Sequence, residues 1–213
     1  MTSITALKHS FNYFSKARRT TGANEAMNLT PDEVRDLVVT TRREVVSLSG
    51  YSDAEYEDPP AMRRSVARVL DELDPDHTLI NSGATASGIG ACYAIAQRRG
   101  FITTGIVSMQ AKIKKVAWSP YVDFLLFVTD SSWGGSVAGT RTQSPTSEAM
   151  VTSSQVLVAI GGGDIARDEL LAAEDLGKRT RIIAADLNYQ LARKNAIRTG
   201  APLPSDFGGA VRL

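Results

Sequence analysis

Apolar residues in this chain come in short runs separated by amphipathic stretches, and that alternation sets the architecture. Val156-Leu-Val-Ala-Ile160 is unbroken by any polar residue. Its length, and its lack of alternation, suit a strand buried on both faces of a parallel sheet. His77–Asn81, Phe101–Val107 and Tyr121–Asp130 read as further strands, Glu44–Gly50 as a short strand ending at glycine, and Thr180–Leu187 as the last of the series. Between them the period changes to that of a helix. Ala61–Leu73 carries Met62, Val66, Val69, Leu70 and Leu73 on one stripe, which is the mark of a helix with one buried face. Ala91–Arg99, Thr146–Ser154, the segment after Gly163 as far as Gly177, and Asn188–Thr199 are predicted helices too. Thr30-Pro-Asp-Glu33 starts another that runs to Thr41, with Thr30 as N-cap, Pro31 in the first turn and Glu33 closing a capping box. Strands alternating with helices predict right-handed crossovers and a doubly wound, mostly parallel α/β sheet with helices on both faces.

The boundaries follow from the same pattern. Residues 1–43 form an N-terminal extension, an aperiodic arm with Phe11, Tyr13 and Phe14 followed by the helix 30–41. Residues 44–200 are the single α/β domain, and 201–213 are a tail with Pro202, Pro204, Gly208 and Gly209 and no evident structure. Composition adds exclusions. The chain has 213 residues, 43% of them hydrophobic, 22% charged, and a net charge of +1. Those are the proportions of an ordinary globular domain, with no global charge to attract nucleic acid. No apolar run approaches the ~20 residues that span a bilayer. With no apolar signal core and Cys92 as the lone cysteine, a cytoplasmic location is expected. Cys92 lies within a predicted helix, where a buried inert thiol is the default. His9 and His77 stand in unrelated settings without ligand spacing, so no metal is expected.

Chemistry concentrates at the ends of the strands, where open α/β sheets bind ligands. Three of those ends are small or glycine-rich: Ser49-Gly50-Tyr51-Ser52, Ser82-Gly83-Ala84-Thr85 with Gly88 beyond it, and Gly161-Gly162-Gly163-Asp164. Glycine there permits positive φ and close backbone approach, and the helix after Gly163 would direct free N–H groups at an anion. A glycine in such a turn is as well explained by turn geometry alone, but three together favour a nucleotide-sized ligand. Two fingerprints fail to match. Gly83-x4-Gly88 lacks the Lys-Ser/Thr of a P-loop, and the spacing of Gly83, Gly88 and Gly90 is not that of a dinucleotide turn. Asp164, Asp168 and Glu169 either compensate the helix dipole or include a carboxylate facing a ribose or a glycosidic centre. Asp130 ends another strand and leads into the polar segment 131–145. A segment of that length is often a lid; its Trp133 would stack on a base or anchor an interface.

From Glu44 to Leu187 the layout resembles the SLOG superfamily of Rossmann-like nucleotide-binding domains, whose best-known branch is the LOG, or "lysine decarboxylase-like", family of nucleoside-monophosphate phosphoribohydrolases. Ser49-Gly50-Tyr51-Ser52 is similar to the family's opening G-S-S segment, and Ser82–Ala91 to its G-G-G-x-x-G-L-M-G-A turn. The helix 146–154, then Val156–Gly163 and Glu169-Leu-Leu171, resemble the helix, strand and P-G-G-x-G-T-x-x-E signature. The departures lie in the catalytic positions. Ile160 stands for the signature's proline, Asp164 for a glycine and Ile165 for the threonine. The glutamate falls on Asp168, or on Glu169 with a shift of one. The family's catalytic arginine falls near Pro145, with Arg141 in the preceding loop as the only substitute. Loss of such groups removes several kcal/mol of transition-state stabilisation.

The resemblance therefore implies a divergent member that binds a nucleotide or nucleotide derivative, its phosphate on Gly161–Gly163 and facing Ser82, Gly83 and Thr85. Two alternatives stand beside it. One is N-glycosidic hydrolysis of nucleotides using Asp168 or Glu169 with Arg141. The other is a protein-interaction module with a vestigial pocket, its arm and its Trp133 loop ordered at an interface. A homodimer is implied by the resemblance alone.

Overall fold

Seven strands form one sheet in the order β1-β5-β4-β3-β2-β6-β7, every neighbouring pair parallel. The structure is a computed structural model that describes residues 24–137, 139–140 and 142–209; the aromatic arm at Phe11–Phe14 and Arg141 lie outside the described residues. The strands are β1 (Asn24–Leu29), β2 (Glu44–Gly50), β3 (Thr78–Ser82), β4 (Ile102–Ser108), β5 (Phe124–Val128), β6 (Val156–Ile160) and β7 (Arg179–Ile183). The helices are α1 (Pro31–Val39), α2 (Pro59–Asp71), α3 (Ala91–Arg98), α4 (Met109–Ile113), α5 (Pro145–Ser153), α6 (Asp164–Asp175) and α7 (Tyr189–Thr199). The doubly wound α/β sheet read from the sequence is thus present, and its pairing is wholly parallel.

The largest departure from the sequence reading is at the beginning. Asn24–Leu29 pairs with β5 as an edge strand, Ala26 opposite Leu126, and α1 packs Val34, Leu37 and Val38 into the core beneath it. Only Ala26 and Leu29 of this strand are buried hydrophobics, too sparse a signal for periodicity to detect. The capping box at Thr30 forms as expected, with the Glu33 amide donating to Thr30 Oγ1 at 3.3 Å and the Thr30 amide to Glu33 Oε2 at 2.9 Å. The fourth predicted strand contracts to Phe124–Val128 and the last to Arg179–Ile183. β7 is the other edge strand and its residues are mostly exposed. The tail also carries structure, a short 3-10 turn at Asp206–Gly209.

Two layers flank the sheet. One face packs α2 and α3 on Val46, Leu48, Ile80 and Val158. The other packs α1, α5 and α6 on Val45, Leu79, Leu126 and Leu157. One polar chain crosses this second face under α5. Ser47, Asn81 and Thr104 sit opposite one another on three adjacent strands. Asn81 donates to Ser47 Oγ at 2.8 Å and accepts from Thr104 Oγ1 at 3.1 Å. Burial of these side chains is tolerable because the register supplies each with a partner.

The strand order also locates the switch point. After β2 the chain crosses over one face, through α2, to β3. After β6 it crosses over the other face, through α6, to β7. The crevice lies where these helices diverge, between the carboxyl ends of β2 and β6, and ligands of such sheets bind there. No described helix is long and apolar enough to cross a membrane.

Candidate functional site

The three small-residue turns do meet around this crevice, since β3, β2 and β6 are neighbours in the sheet. Most of their glycines, however, answer to the chain's own packing. A β-carbon on Gly50 would meet the Tyr56 hydroxyl and, at 2.8 Å, the Ile160 carbonyl oxygen. One on Gly88 would run into the backbone of Tyr51 and Ser52, and one on Gly162 into the Ala166 side chain. Gly161 combines a φ of +54° with the Ala185 carbonyl oxygen 2.5 Å and the Tyr51 ring 2.6 Å from where its β-carbon would be. Two glycines have nothing opposite them within 4 Å, Gly83 after β3 and Gly163 after β6. They flank the end of β2 at two strand spacings, about 10 Å.

The amides of the turns divide in the same way. Tyr56 is buried, and its hydroxyl accepts from the Tyr51 amide at 3.2 Å and donates to the Ile160 carbonyl at 2.7 Å. Tyr93, equally buried, accepts from the Ala84 amide at 3.0 Å and donates to the Thr104 carbonyl at 3.0 Å. Burial pushes both phenols well above their ordinary pKa, so they stay neutral and serve as struts. Tyr56→Phe would leave a buried amide and carbonyl without this partner, and is expected to cost about 1–3 kcal/mol, read as a fall in the urea midpoint. The first turn of α6 differs: its N-cap is Gly163 and no side chain caps it. Its leading N–H groups are therefore the available anion-binding feature.

The predicted site residues sort accordingly. Tyr51 lies at the crevice, with its ring edge-on to Tyr56 at 5.2 Å and its hydroxyl hydrogen-bonded to the Asp206 carboxylate and to the Gly162 backbone. Ser82 is buried, near Cys92 and Tyr93, and its hydroxyl has no hydrogen-bond partner among the described residues. Thr85 is half-buried and held by an antiparallel bridge to Trp118. Burial lifts the Cys92 thiol to about 12, in keeping with an inert cysteine. His77 pairs at the surface with Asp74, Nδ1 to Oδ2 at 2.8 Å.

Asp130 caps a helix. Its carboxylate accepts from the Thr146 amide at 2.9 Å, in the first turn of α5, and from the Ser132 amide at 2.7 Å. Burial opposes ionisation here, but these bonds outweigh it and hold the carboxyl below its ordinary pKa. Ser132 in turn anchors the segment that carries Trp133, which is half exposed. The segment closes on itself through a bridge from Ser136 to Gln143 and then onto α5 and α6. The Gly135 amide donates to Ser147 Oγ at 2.7 Å and the Ser136 amide to Asp168 Oδ2 at 2.9 Å.

The carboxylates after Gly163 have separate environments. Asp164 is exposed and pairs with Arg167 at 3.1 Å. Asp168 pairs with Arg167 at 2.7 Å. Although burial opposes it, Arg167 and Ser136 hold its carboxyl below the ordinary value. Glu169 is buried, accepting from Ser147 Oγ at 2.7 Å and Ser49 Oγ at 3.4 Å, with no cation paired to it among the described residues. Burial raises its pKa to about 7. Perturbation of this kind at a strand-end crevice is typical of functional carboxylates.

Arg167 is the residue that sequence reasoning missed. It lies at the start of α6, with Asp164, Asp168 and, at 3.4 Å, the Phe207 carbonyl around it. Its place one helical turn past Gly163 was the available signal.

No protein-family model matches this chain, and no curated protein matches it. Solved structures do. The molybdenum cofactor binding protein from the phototrophic bacterium Rippkaea orientalis aligns over 75% of this chain and 86% of its own, at 16% identity and a TM-score of 0.50. The Moco carrier protein from Chlamydomonas reinhardtii aligns over 80% and 94%, at 16% identity and 0.48. The structural-genomics target TM1055 aligns over 64% and 72%, at 21% identity and 0.46. At these identities the likeness is one of fold. The chain carries a Rossmann-like α/β fold, with its glycine turns at the switch point.

Proposed function

We propose that this protein binds a nucleotide or nucleotide-derived ligand across the crevice between β2 and β6. The phosphate rests over Gly163 and the uncapped first turn of α6, and the remainder reaches toward Gly83 and the exposed Trp133. The observation that carries this reading is that Gly83 and Gly163 alone, among the glycines of the three turns, face open space. Every other glycine there is required by the protein itself. The ~10 Å between them suits a phosphate-to-base span, and Arg167, held by Asp164 and Asp168, lies beside the helix terminus. Isothermal titration with AMP, ADP-ribose, NAD and molybdenum cofactor is the test. Binding of one of them with Kd below a millimolar is expected, and no binding from any of them rejects the reading.

A second reading, N-glycosidic hydrolysis, is favoured by Glu169. Asp168 is occupied by Arg167 and Ser136, whereas Glu169 sits near neutrality and can give or take a proton. Departure of a base from C1′ needs such a proton, and water then completes the sugar. Gly134 and Gly135 cover Ser147 and would have to lift first. Release of free base from AMP that survives Asp168→Ala and disappears in Glu169→Gln is the expected signature. Activity retained in Glu169→Gln would remove this role.

A further inference from the structure

The tail, expected to be featureless, ends up on the glycine turn. Within the 3-10 turn at Asp206–Gly209, the Phe207 amide donates to the Gly162 carbonyl at 2.6 Å, and the Phe207 carbonyl accepts from Arg167. The Phe207 ring is buried among Leu157, Ala159, Ala166 and Leu170. The Asp206 carboxylate accepts from the Tyr51 hydroxyl, which itself bonds to the Gly162 backbone. An acid oxygen therefore stands one hydroxyl away from the turn, and the carbonyl of the next residue reaches Arg167.

We propose that the segment around Asp206 and Phe207 is a built-in competitor for the glycine-turn site and that a phosphate-bearing ligand must displace it. Three independent features support this. Two of the contacts fall on donors an incoming anion would use, the Tyr51 hydroxyl and Arg167. The segment is joined to α7 by the exposed residues 201–205, none of which belongs to the core. Phe207 has a φ of +44°, a conformation costly for a non-glycine residue and concentrated at clamps and switches. Backbone strain weakens the hold of the turn without preventing it, as a displaceable element requires. The inference rests on the ligand-binding reading above. It predicts that the apparent Kd of the parent is raised by the fraction of molecules in which the site is open.

The experiment compares the full chain, Asp206→Ala and a chain ended after Leu203, with AMP as the probe. Asp206→Ala removes the Tyr51 contact at an exposed position, so it decides the matter if the shorter chain loses its cooperative thermal transition. Both variants are expected to bind AMP at least tenfold more tightly than the parent. In the parent, saturating AMP should speed hydrogen exchange at the Phe207 amide. Equal Kd in parent and variants, weaker binding in Asp206→Ala, or slowed exchange at Phe207 on binding would overturn the proposal while leaving ligand binding intact. If none of the three chains binds any of the four ligands, both readings fail together. If only the variants bind AMP, the displacement proposal stands.

Discussion

Gly161→Ala is expected to lower the melting temperature by roughly 5–15 °C, while Gly163→Ala, two residues on, leaves it within about 2 °C. At Gly161 the methyl would be forced between the Ala185 carbonyl oxygen at 2.5 Å and the Tyr51 ring at 2.6 Å, at a φ of +54°. Left-handed strain costs about 1–3 kcal/mol and overpacking about 1–3 kcal/mol more. For a chain of this size each kcal/mol moves the midpoint by about 2–4 °C. At Gly163 the φ is −98°, open to any residue, and no atom lies within 4 Å of the new methyl. The same methyl would stand where the proposed phosphate approaches, so Gly163→Ala should weaken AMP binding about tenfold or more, equivalent to at least ~1.4 kcal/mol. Calorimetric melting and titration of both variants check the pair. A parent-like melting temperature in Gly161→Ala, or a parent-like Kd in Gly163→Ala, would show that the two glycines have been assigned wrongly.

Glu169→Gln is expected to stabilise the protein at pH 8 and to do nothing for it at pH 4. Burial raises the Glu169 carboxyl from 4.5 to about 7. Below pH 4.5 the group is protonated in both folded and unfolded chains and makes no difference. Between 4.5 and 7 the folded state holds the extra proton, so its contribution to stability falls as pH rises, and above 7 the full cost is present. The shift corresponds to about 3 kcal/mol, or roughly 6–12 °C in midpoint for a chain of this length. Gln preserves the shape, and its amide can donate to Ser49 Oγ or Ser147 Oγ. Melting curves from pH 4 to pH 8 should therefore slope downward in the parent and flatten in the variant. Parallel curves would mean that Glu169 ionises without penalty, and the case for it as a proton carrier would lose its support. A gain in stability on removing a buried acid is also the usual mark of a group kept for function.

Much of the fold was legible because its elements are locally determined. Val156–Ile160 is apolar throughout and is a central strand. The capping box at Thr30 depends on residues three apart and formed as read. The three turns were found because a parallel sheet puts its loops at one edge, whichever order the strands take. β1 was not legible, since its place depends on pairing with β5, about a hundred residues away, and on only two buried side chains. The tail was missed for a similar reason: Phe207 is a single apolar residue whose burial depends on α6.

The candidate site shows the division most clearly. The sequence by itself determined that glycines, small residues and acids would gather at the strand ends, because glycine and charge are local properties that survive any arrangement of the chain. Only the tertiary structure decided what each was for. Gly50, Gly88, Gly161 and Gly162 turned out to be demanded by neighbouring backbone and side chains, and Gly83 and Gly163 were left open. Asp130 became a helix cap, Asp168 a partner of Arg167, and Glu169 a buried acid near neutrality. These distinctions come from close contact and desolvation, which depend on what is brought alongside from distant parts of the chain and are not written in any one stretch of it.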